Sequence, residues 1–265
     1  MTLNENSLKI DQVRRNFSRH ADEYDRYALV QKSVAKKLMN RLPEIPVAGK
    51  ALEVGCGTGI LSRMFLQQHP ETRLLLSDLA HGMSCRVAAD FPSHLVVDAD
   101  AVALPFAAES FDLVLSSSVY QWVDHLSQAF AELQRVLRPG GQVVMALFGD
   151  QTLYELRQSH AEISTLGQSH SQGFPDCDQV QNALGDQFDV EFLESNLEIE
   201  WHSGVPALLC GLKAIGAQNA SRNRPGGLAS RRLMQRMYEC YERRFGRKGM
   251  IPATYEVIYL LLRKR

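Results

Sequence analysis

The sequence predicts an α/β fold, a doubly wound sheet with helices before it and a helical segment ahead of its last strand. From Lys50 onward, apolar runs of strand length alternate with amphipathic stretches of helical length; the runs are 50–54, 72–77, 94–97, 111–117 and 141–148. Such alternation is typical of right-handed strand–helix–strand units that build a parallel sheet. A glycine-rich turn directly follows the first run. At 265 residues the chain is long enough for one such domain with additions.

The residues before the sheet are predicted to be helical. Apolar and aromatic side chains recur there at helical spacing, on one face that holds Val13, Phe17, Ala21 and Tyr24. A second helical run starts at Leu29 and ends at Leu42, before a proline. We therefore expect residues 1–48 to form a helical lid beside the sheet.

The crossover helices are predicted near 59–69, 80–89 and 124–137, the last of them ended by Pro139-Gly140-Gly141. The regular alternation stops at about residue 150. The remaining predicted elements are a helix at 152–165, an exposed loop at 167–173, strands at 189–201 and 255–262, and an arginine-rich helical cap at about 204–250. One domain thus contains a regular half at 49–150 and a less regular half at 151–265.

Composition excludes several classes of function. The net charge of −1 gives no overall field that would select nucleic acid or a membrane surface. The five cysteines are scattered and show no C-x-x-C spacing, so neither a zinc site nor a disulfide framework is indicated. We expect a cytoplasmic protein, because the first 20 residues are polar and no apolar run approaches the length of a membrane span.

The turn after the first predicted strand is the strongest functional signal. It contains Glu53 followed by Gly55, Gly57 and Gly59. Glycines let the backbone approach a ligand closely, and the start of the following helix offers free N–H groups in the same space. The spacing is G-x-G-x-G and not the G-x-G-x-x-G of dinucleotide-binding proteins. A nucleotide-type ligand is therefore indicated, without fixing which nucleotide.

Acidic residues follow the next two predicted strands. Asp78 comes 19 residues after Gly59, close to the interval at which a carboxylate binds ribose hydroxyls in such folds. The alternative for Asp78 is a helix N-cap. Asp100 precedes Leu104-Pro105-Phe106, with Asp98 as a nearby competitor. Past the fourth strand, Ser116 and the run from Tyr120 to Trp122 are placed to contact a ligand, although Trp122 could equally belong to the core.

The order and spacing of these motifs resemble those of class I S-adenosylmethionine (SAM) methyltransferases. The resemblance implies a seven-stranded Rossmann-like sheet and SAM as cofactor, bound by residues of the 49–150 half. The implied cofactor-binding residues are Glu53, Gly55, Gly57, Gly59, Asp78, Asp100, Ala101 and Ser116. A dehydrogenase is the alternative, but the third glycine is displaced and no catalytic Tyr-Lys or His-Asp pair is evident.

The two ends of the chain indicate the methyl acceptor. The run from Phe17 to Asp25, the Gln121-Trp122 pair and the segment Lys213-Ala214-Ile215-Gly216-Ala217 resemble the malonyl-acyl-carrier-protein O-methyltransferases of biotin synthesis. The resemblance implies esterification of the free malonyl carboxylate on acyl carrier protein, or on coenzyme A. Such a carboxylate is already ionised at neutral pH, so the reaction needs no general base. It does need a cation that selects the acid and a lid that excludes water.

Several substrate-side assignments follow and stay open here. Tyr24, Arg19 and Lys213 are the predicted catalytic residues, with Arg222 and Arg224 as further candidates for the cation. The arginine-rich stretch 222–248 could bind an acidic carrier protein, follow RNA phosphates, or simply be the solvated face of an amphipathic helix; nucleic acid is the less expected partner. The alternatives for the whole chain are another small-molecule carboxyl, O- or C-methyltransferase, or a noncatalytic protein that keeps the SAM fold.

Overall fold

A computed structural model describes residues 9–42, 49–163, 173–217 and 231–265. Its strands form one seven-stranded sheet in the order β3-β2-β1-β4-β5-β7-β6. The strands are β1 (Lys50–Val54), β2 (Arg73–Asp78), β3 (Val96–Asp98), β4 (Phe111–Ser117), β5 (Leu137–Phe148), β6 (Phe188–His202) and β7 (Ile251–Lys264). From β1 the chain adds β2 and β3 on one side of the sheet, and from β4 it adds strands on the other side. The connections that follow β1 and β4 therefore lead in opposite directions. Ligands of open α/β sheets bind at this point, outside the carboxyl ends of the strands.

The sheet is mixed, with a parallel part and an antiparallel part. Strands β1 to β5 pair in parallel, as predicted. Strand β7 runs antiparallel to both of its neighbours. The pairing of β6 with β7 extends from Phe188 opposite Lys264 to His202 opposite Ile251. The return from β6 to β7 is an antiparallel connection, so β7 fills the gap between β5 and β6 and completes the sheet.

The helices agree in place with the predicted ones and add one. They are α1 (Ile10–His20), α2 (Tyr24–Tyr27), α3 (Leu29–Met39), α4 (Ile60–Gln68), α5 (His81–Asp90), α6 (Leu126–Val136), α7 (Tyr154–Ile163), α8 (Cys177–Leu184), α9 (Val205–Ala214) and α10 (Arg231–Phe245). Helix α8, which was not predicted, begins with a capping box in which Asp176 and Gln179 bond each other's backbone N–H. The predicted loop at 167–173 lies, except for Gly173, outside the described residues.

The glycines after α6 act differently from the prediction. Helix α6 ends at Val136, and the chain enters β5 at once instead of stopping at Pro139-Gly140-Gly141. The register with β4 shifts between the Phe111–Leu137 pair and the Leu113–Gln142 pair, which marks a bulge over the intervening residues. Gly140 has φ of +75° there. The glycines therefore bulge the strand and do not cap the helix.

The sheet separates two apolar layers. Leu113 and Leu115 point into the layer beneath α3 and α4, whereas Val114 on the same strand packs with Phe130 and Leu133 of α6. This alternation is the two-residue period of a strand covered on both faces. Among the described residues, no helix combines the length and apolar character required to cross a bilayer.

The N-terminal helices and the late helical cap meet at the ligand edge of the sheet. Helix α1 packs against α5, and α2 contacts α9. The turn after α9 approaches α1 so closely that a Cβ on Gly216 would lie 3.0 Å from the carbonyl oxygen of Asn16. Helix α10 buries Met237 and Tyr241 in the core and leaves its arginines outside.

Candidate active site

The glycine turn after β1 adopts a conformation that glycine alone accepts readily. Gly55, Gly57 and Gly59 have φ of +73°, +54° and +81°. The backbone N–H groups of Gly55 and Cys56 both donate to the carbonyl oxygen of Ser77 in β2, at 2.8 and 2.9 Å. A Cβ on Gly55 would lie 2.2 Å from Cγ2 of Val119, whereas one on Gly57 would meet no atom within 4 Å. The turn is thus fixed against β2 and leaves open space above Gly57.

Asp78, at the end of β2, links this turn to the following helix. Its Oδ2 accepts the N–H of Gly57 at 2.8 Å, and its Oδ1 accepts the N–H of Ala80 at 2.7 Å. Burial raises the pKa of Asp78 to about 6, against the opposing effect of the two N–H donors. Each oxygen keeps further acceptor capacity, so the carboxylate can bind a pair of hydroxyls. This arrangement fits the ribose role predicted for Asp78.

A cavity that is partly open to solvent lies over the turn. The sheet side contributes Gly55, Gly57, Asp78, Leu79, Asp100 and Ala101, and the lid side contributes Ile10, Val13, Arg14, Phe17 and Tyr24. Asp100, whose Oδ1 accepts the N–H of Val102 at 3.1 Å, lines this cavity, and Asp98 does not. The floor therefore carries the two predicted carboxylates and the ceiling comes from α1 and α2.

A smaller cavity continues behind the turn, reached past Tyr24, and Glu53 lies there. Glu53 is buried and accepts the Oγ–H of Ser62 at 2.5 Å. Burial raises the pKa of Glu53 to about 8, so its carboxyl is protonated at neutral pH. Thr58 Oγ1 donates to Asp25 Oδ1 at 2.5 Å and fastens the lid to the turn. Gly59 contacts neither ligand space and starts α4, so its place is structural.

Ser116 and Tyr120 do not reach the cavity, which corrects both expectations. The hydroxyl of Ser116 is fully buried and donates to the carbonyl oxygen of Val54 at 2.8 Å. The next two residues, Ser117 and Ser118, line the cavity instead. Tyr120 is buried and stacks on Phe130, with ring centroids 5.7 Å apart.

Ser118 and Trp122 are two of the residues of this segment that line the cavity. Ser118 has φ of +61°, and its buried Oγ has no hydrogen-bond partner among the described residues. A ligand or a water molecule in the cavity could pair with this hydroxyl. The ring of Trp122 meets that of Phe17 edge to face, with centroids 5.3 Å apart. Trp122 thereby joins the sheet side to the lid.

The predicted substrate-side residues separate in the structure. Tyr24 lines both cavities, and burial, with the nearby Asp78, raises the pKa of its hydroxyl, which stays protonated at neutral pH. Arg19 lies in an adjacent groove. Lys213 is exposed on α9 and lines neither cavity, while Arg222 and Arg224 lie outside the described residues.

Arg14 is a cationic side chain of the cavity wall that was not among the predicted site residues. Its side chain lines both the main cavity and the adjacent groove, and its guanidinium lies 3.5 Å from Asp11 on the outer side. A signal was available, since Arg14 lies one helical turn before Phe17 and next to Val13, on the edge of the predicted apolar face.

The lining chemistry suits transfer between a pre-activated donor and an ionised acceptor. The ionisable side chains that line the main cavity, within the described ranges, are Arg14, Tyr24, Asp78 and Asp100. No histidine or cysteine is among the described residues that line this cavity. In the part of the chain that the structure describes, no group of three histidine, cysteine or acidic side chains is arranged to hold a metal ion.

Comparison with known proteins agrees with this geometry. A family model described as a methyltransferase domain matches residues 52–145. The chain is 40% identical to the malonyl-[acyl-carrier protein] O-methyltransferase of Geobacter sulfurreducens over 258 residues, covering 93% of this chain and 96% of that protein.

Solved structures show the same fold. A protein of Bacillus halodurans, provisionally assigned as a methyltransferase, superposes with a TM-score of 0.63 at 17% identity, over 88% of this chain and 99% of that one. The geranyl diphosphate C-methyltransferase of Streptomyces coelicolor, solved with Mg²⁺, geranyl diphosphate and S-adenosyl-L-homocysteine, superposes with a TM-score of 0.53 at 14% identity, over 88% and 80%.

Proposed function

Because the chain belongs to the family of malonyl-[acyl-carrier protein] O-methyltransferases, we propose that it methylates the free malonyl carboxylate of malonyl-carrier protein. The product is the methyl ester that starts synthesis of the pimelate moiety of biotin. The observation that carries the proposal is a cavity with a nucleotide-type floor and a lid of apolar and cationic side chains. A noncatalytic role is disfavoured because the similar proteins are methyltransferases.

SAM is the cofactor, and the residues present fit it. The open space above Gly57 admits a ligand at the backbone, and the remaining lone pairs of Asp78 suit two ribose hydroxyls. Asp100 and Ala101 border the place where an adenine ring would lie, and the unpaired Oγ of Ser118 is available to the polar end of the ligand. When bound, SAM supplies an electrophilic methyl group on a sulfonium.

The protein's part in the reaction is to orient and desolvate the acceptor. A malonyl carboxylate is already a nucleophile, so no side chain has to remove a proton. Arg14 at the cavity rim selects the carboxylate over neutral acyl groups by charge and bidentate hydrogen bonding. Phe17 and Trp122 close over the acyl chain and exclude water, which would otherwise solvate the carboxylate and slow its attack. Tyr24, held protonated, donates a hydrogen bond and serves no base function.

The carrier protein is the proposed partner because acyl carrier proteins are acidic and α10 presents exposed arginines. Arg231, Arg232 and Arg236 lie on the outer face of that helix, whereas Arg243 and Arg244 are bound to Glu162 at 2.6 and 2.9 Å. The N-terminal part of the helix therefore carries the free positive charge.

Transfer of a labelled methyl group from SAM tests the function directly. We expect malonyl-carrier protein to acquire a base-labile label, and acetyl-carrier protein, which has no free carboxylate, to acquire none. Asp78→Ala should abolish SAM binding and labelling together. Arg14→Gln should raise the KM for malonyl-carrier protein, while Arg15→Gln, outside the main cavity, should not.

Other outcomes would point to the alternatives. Labelling of free carboxylic acids but not of the carrier protein would favour another small-molecule methyltransferase. Tight SAM binding without transfer to malonyl-carrier protein or malonyl-coenzyme A would favour the noncatalytic alternative. Equal rates with malonyl-carrier protein and malonyl-coenzyme A would remove the carrier protein as the preferred partner.

A further inference from the structure

A thiol, an imidazole and a carboxylate form a hydrogen-bonded chain beside the lid. The Sγ of Cys85 lies 3.3 Å from Nε2 of His81, and Nδ1 of His81 lies 2.7 Å from Oδ2 of Asp98. The proposed methyl transfer uses none of these three groups. We propose that Cys85 is a nucleophilic thiol site that exchanges with anionic disulfides of low molecular weight.

Rigid elements hold this arrangement. His81 and Cys85 are four residues apart on α5, so they share one face of the helix. Asp98 ends β3 and lies opposite Asp78 in the parallel pairing of β2 with β3. The three groups are therefore placed by a helix and a strand of the central fold, and no flexible loop has to order itself to bring them together.

The hydrogen bonds orient the imidazole for removal of the thiol proton. Because Asp98 accepts a hydrogen bond at Nδ1, that nitrogen carries the proton and Nε2 is left as the acceptor facing Cys85. A nucleophile within reach of a base that a third group orients is the arrangement of activated thiols. Burial alone would raise the pKa of Asp98, but the hydroxyl of Ser84, then His81 and Arg14, lower it, which keeps the orienting group ionised.

The thiol is accessible, and a groove with more cations than anions lies next to its histidine partner. Cys85 is exposed. His81 lines this groove together with Arg14, Arg15 and Arg19 of α1 and the carboxylates Asp98 and Asp100, whereas Cys85 is not among the lining residues. The three arginines outnumber the two carboxylates, so the groove beside His81 favours an anionic disulfide.

The exchange is balanced in atoms and electrons. The Cys85 thiol gives its proton to Nε2 of His81, and the thiolate attacks one sulfur of the disulfide R–S–S–R. A bond forms between Cys85 Sγ and that sulfur, the original S–S bond breaks, and the departing thiolate takes up a proton. Cys85 is oxidised to a mixed disulfide and the leaving group is reduced to a thiol. Excess low-molecular-weight thiol reverses the step.

Cys210 provides a matched control within the same chain. It is also exposed, on α9, and no hydrogen bond to its sulfur is present among the described residues. Cys56 and Cys240 are buried and should react slowly. Any difference between Cys85 and Cys210 thus reports the surroundings of the thiol more than its accessibility.

Alkylation of the intact protein by iodoacetamide, with peptide masses read over time, tests the site. We expect Cys85 to react at least about fivefold faster than Cys210 at neutral pH. His81→Asn should reduce the rate at Cys85 to that of Cys210 and leave Cys210 unchanged. His81 is exposed, so the variant should keep the thermal midpoint of the wild type. Equal rates at the two cysteines, or an unchanged rate at Cys85 in His81→Asn, would overturn the proposal.

A pair of disulfides tests the ligand class. Anionic dithiobis(nitrobenzoate) should modify Cys85 faster, relative to Cys210, than neutral dithiodipyridine does, and Arg15→Gln should reduce that preference. If the ratio of the rate at Cys85 to the rate at Cys210 is the same for both reagents, the assignment to anionic disulfides is refuted. These readouts are masses of modified peptides, so they do not depend on whether the chain methylates a carrier protein. Cys85→Ser, in turn, should retain methyl transfer.

Discussion

At the scale of single residues, Asp78 connects the fold to the proposed chemistry. The carboxylate closes the glycine turn through Gly57 and starts the next helix region through Ala80, so both oxygens are already fixed before a ligand arrives. A preorganised acceptor loses little entropy on binding. Its raised pKa, to about 6, also makes it sensitive to pH near neutrality.

The affinity for SAM should therefore depend on pH through Asp78. Ribose hydroxyls donate to the ionised carboxylate, so binding requires its deprotonated form. We expect the Kd to be flat above pH 7 and to rise, by up to about tenfold per unit, as the pH falls through the pKa of about 6. Calorimetric titration at several pH values measures this. Asp78→Asn should bind more weakly and show no rise over that range; an equally steep rise in the variant would assign the titration to another group.

Two glycines with a left-handed backbone, one in the cavity wall and one outside it, distinguish the effect of backbone strain from that of ligand contact. Gly57 and Gly140 both have positive φ, +54° and +75°, and neither would place a Cβ within 4 Å of another atom. Alanine at either position should cost about 1 kcal/mol of folding free energy through backbone strain. Only Gly57 lines the cavity. Gly57→Ala should thus lose at least tenfold in SAM affinity while Gly140→Ala keeps it, as measured by titration and chemical denaturation; equal affinities would mean that the space above Gly57 is not used.

The sequence predicted residue types at this site better than it predicted which of two neighbours faces the ligand. Gly55, Gly57, Asp78 and Asp100, which line the cavity, could be predicted because their chemistry is tied to the end of a strand. Ser116 was predicted to contact the ligand and Ser118 was not, because the sequence does not reveal the left-handed backbone at Ser118, whose φ is +61°. Arg14 was missed because a cation beside an apolar helical face is usually solvated.

At the scale of elements, the positions of strands and helices followed from local patterns. The antiparallel direction of β7 relative to its neighbours did not. Strand β7 is apolar along almost its whole length, and a run of this kind fits a central strand of either direction. Its antiparallel placement depends on where β6 and the helical cap leave space. Strand β5 also begins earlier than predicted and includes Pro139-Gly140-Gly141. Pairing with β4 on both sides of this segment outweighs its local preference for a turn.

Helix α1 is the element whose role is easiest to isolate. Its Phe17 ring contacts Trp122 at 5.3 Å, and the chain holds just one other tryptophan, Trp201, on β6. In a Trp201→Phe background, Phe17→Ala should make Trp122 more accessible to a fluorescence quencher and lower methyl transfer by about tenfold, with a stability cost of about 1–2 kcal/mol. Leu29→Ala is the control, because Leu29 is 56% exposed on α3. Unchanged quenching in the Phe17 variant would contradict a closed lid.

At the scale of the whole molecule, charge is distributed and nearly balanced. The net charge is −1, yet 222–248 carries nine arginines and lysines. Glu162 pairs with both Arg243 and Arg244 at the C-terminal end of α10 and offsets one of their two charges. The potential that remains is therefore local, and a local positive surface affects the encounter with an acidic protein more than it affects stability.

Charge reversal on α10 tests whether that surface receives the carrier protein. Arg236→Glu should raise the KM for malonyl-carrier protein several-fold and leave kcat at saturation near the wild-type value, because docking is weakened and the reacting groups are untouched. Arg73→Glu is the matched control, since Arg73 is exposed at the start of β2, opposite the ligand edge of the sheet. The wild-type KM should rise with ionic strength, and this slope should be shallower in Arg236→Glu but not in Arg73→Glu. Steady-state kinetics at two salt concentrations measure all of these quantities. Equal KM values for the two variants would show that the carrier protein docks elsewhere.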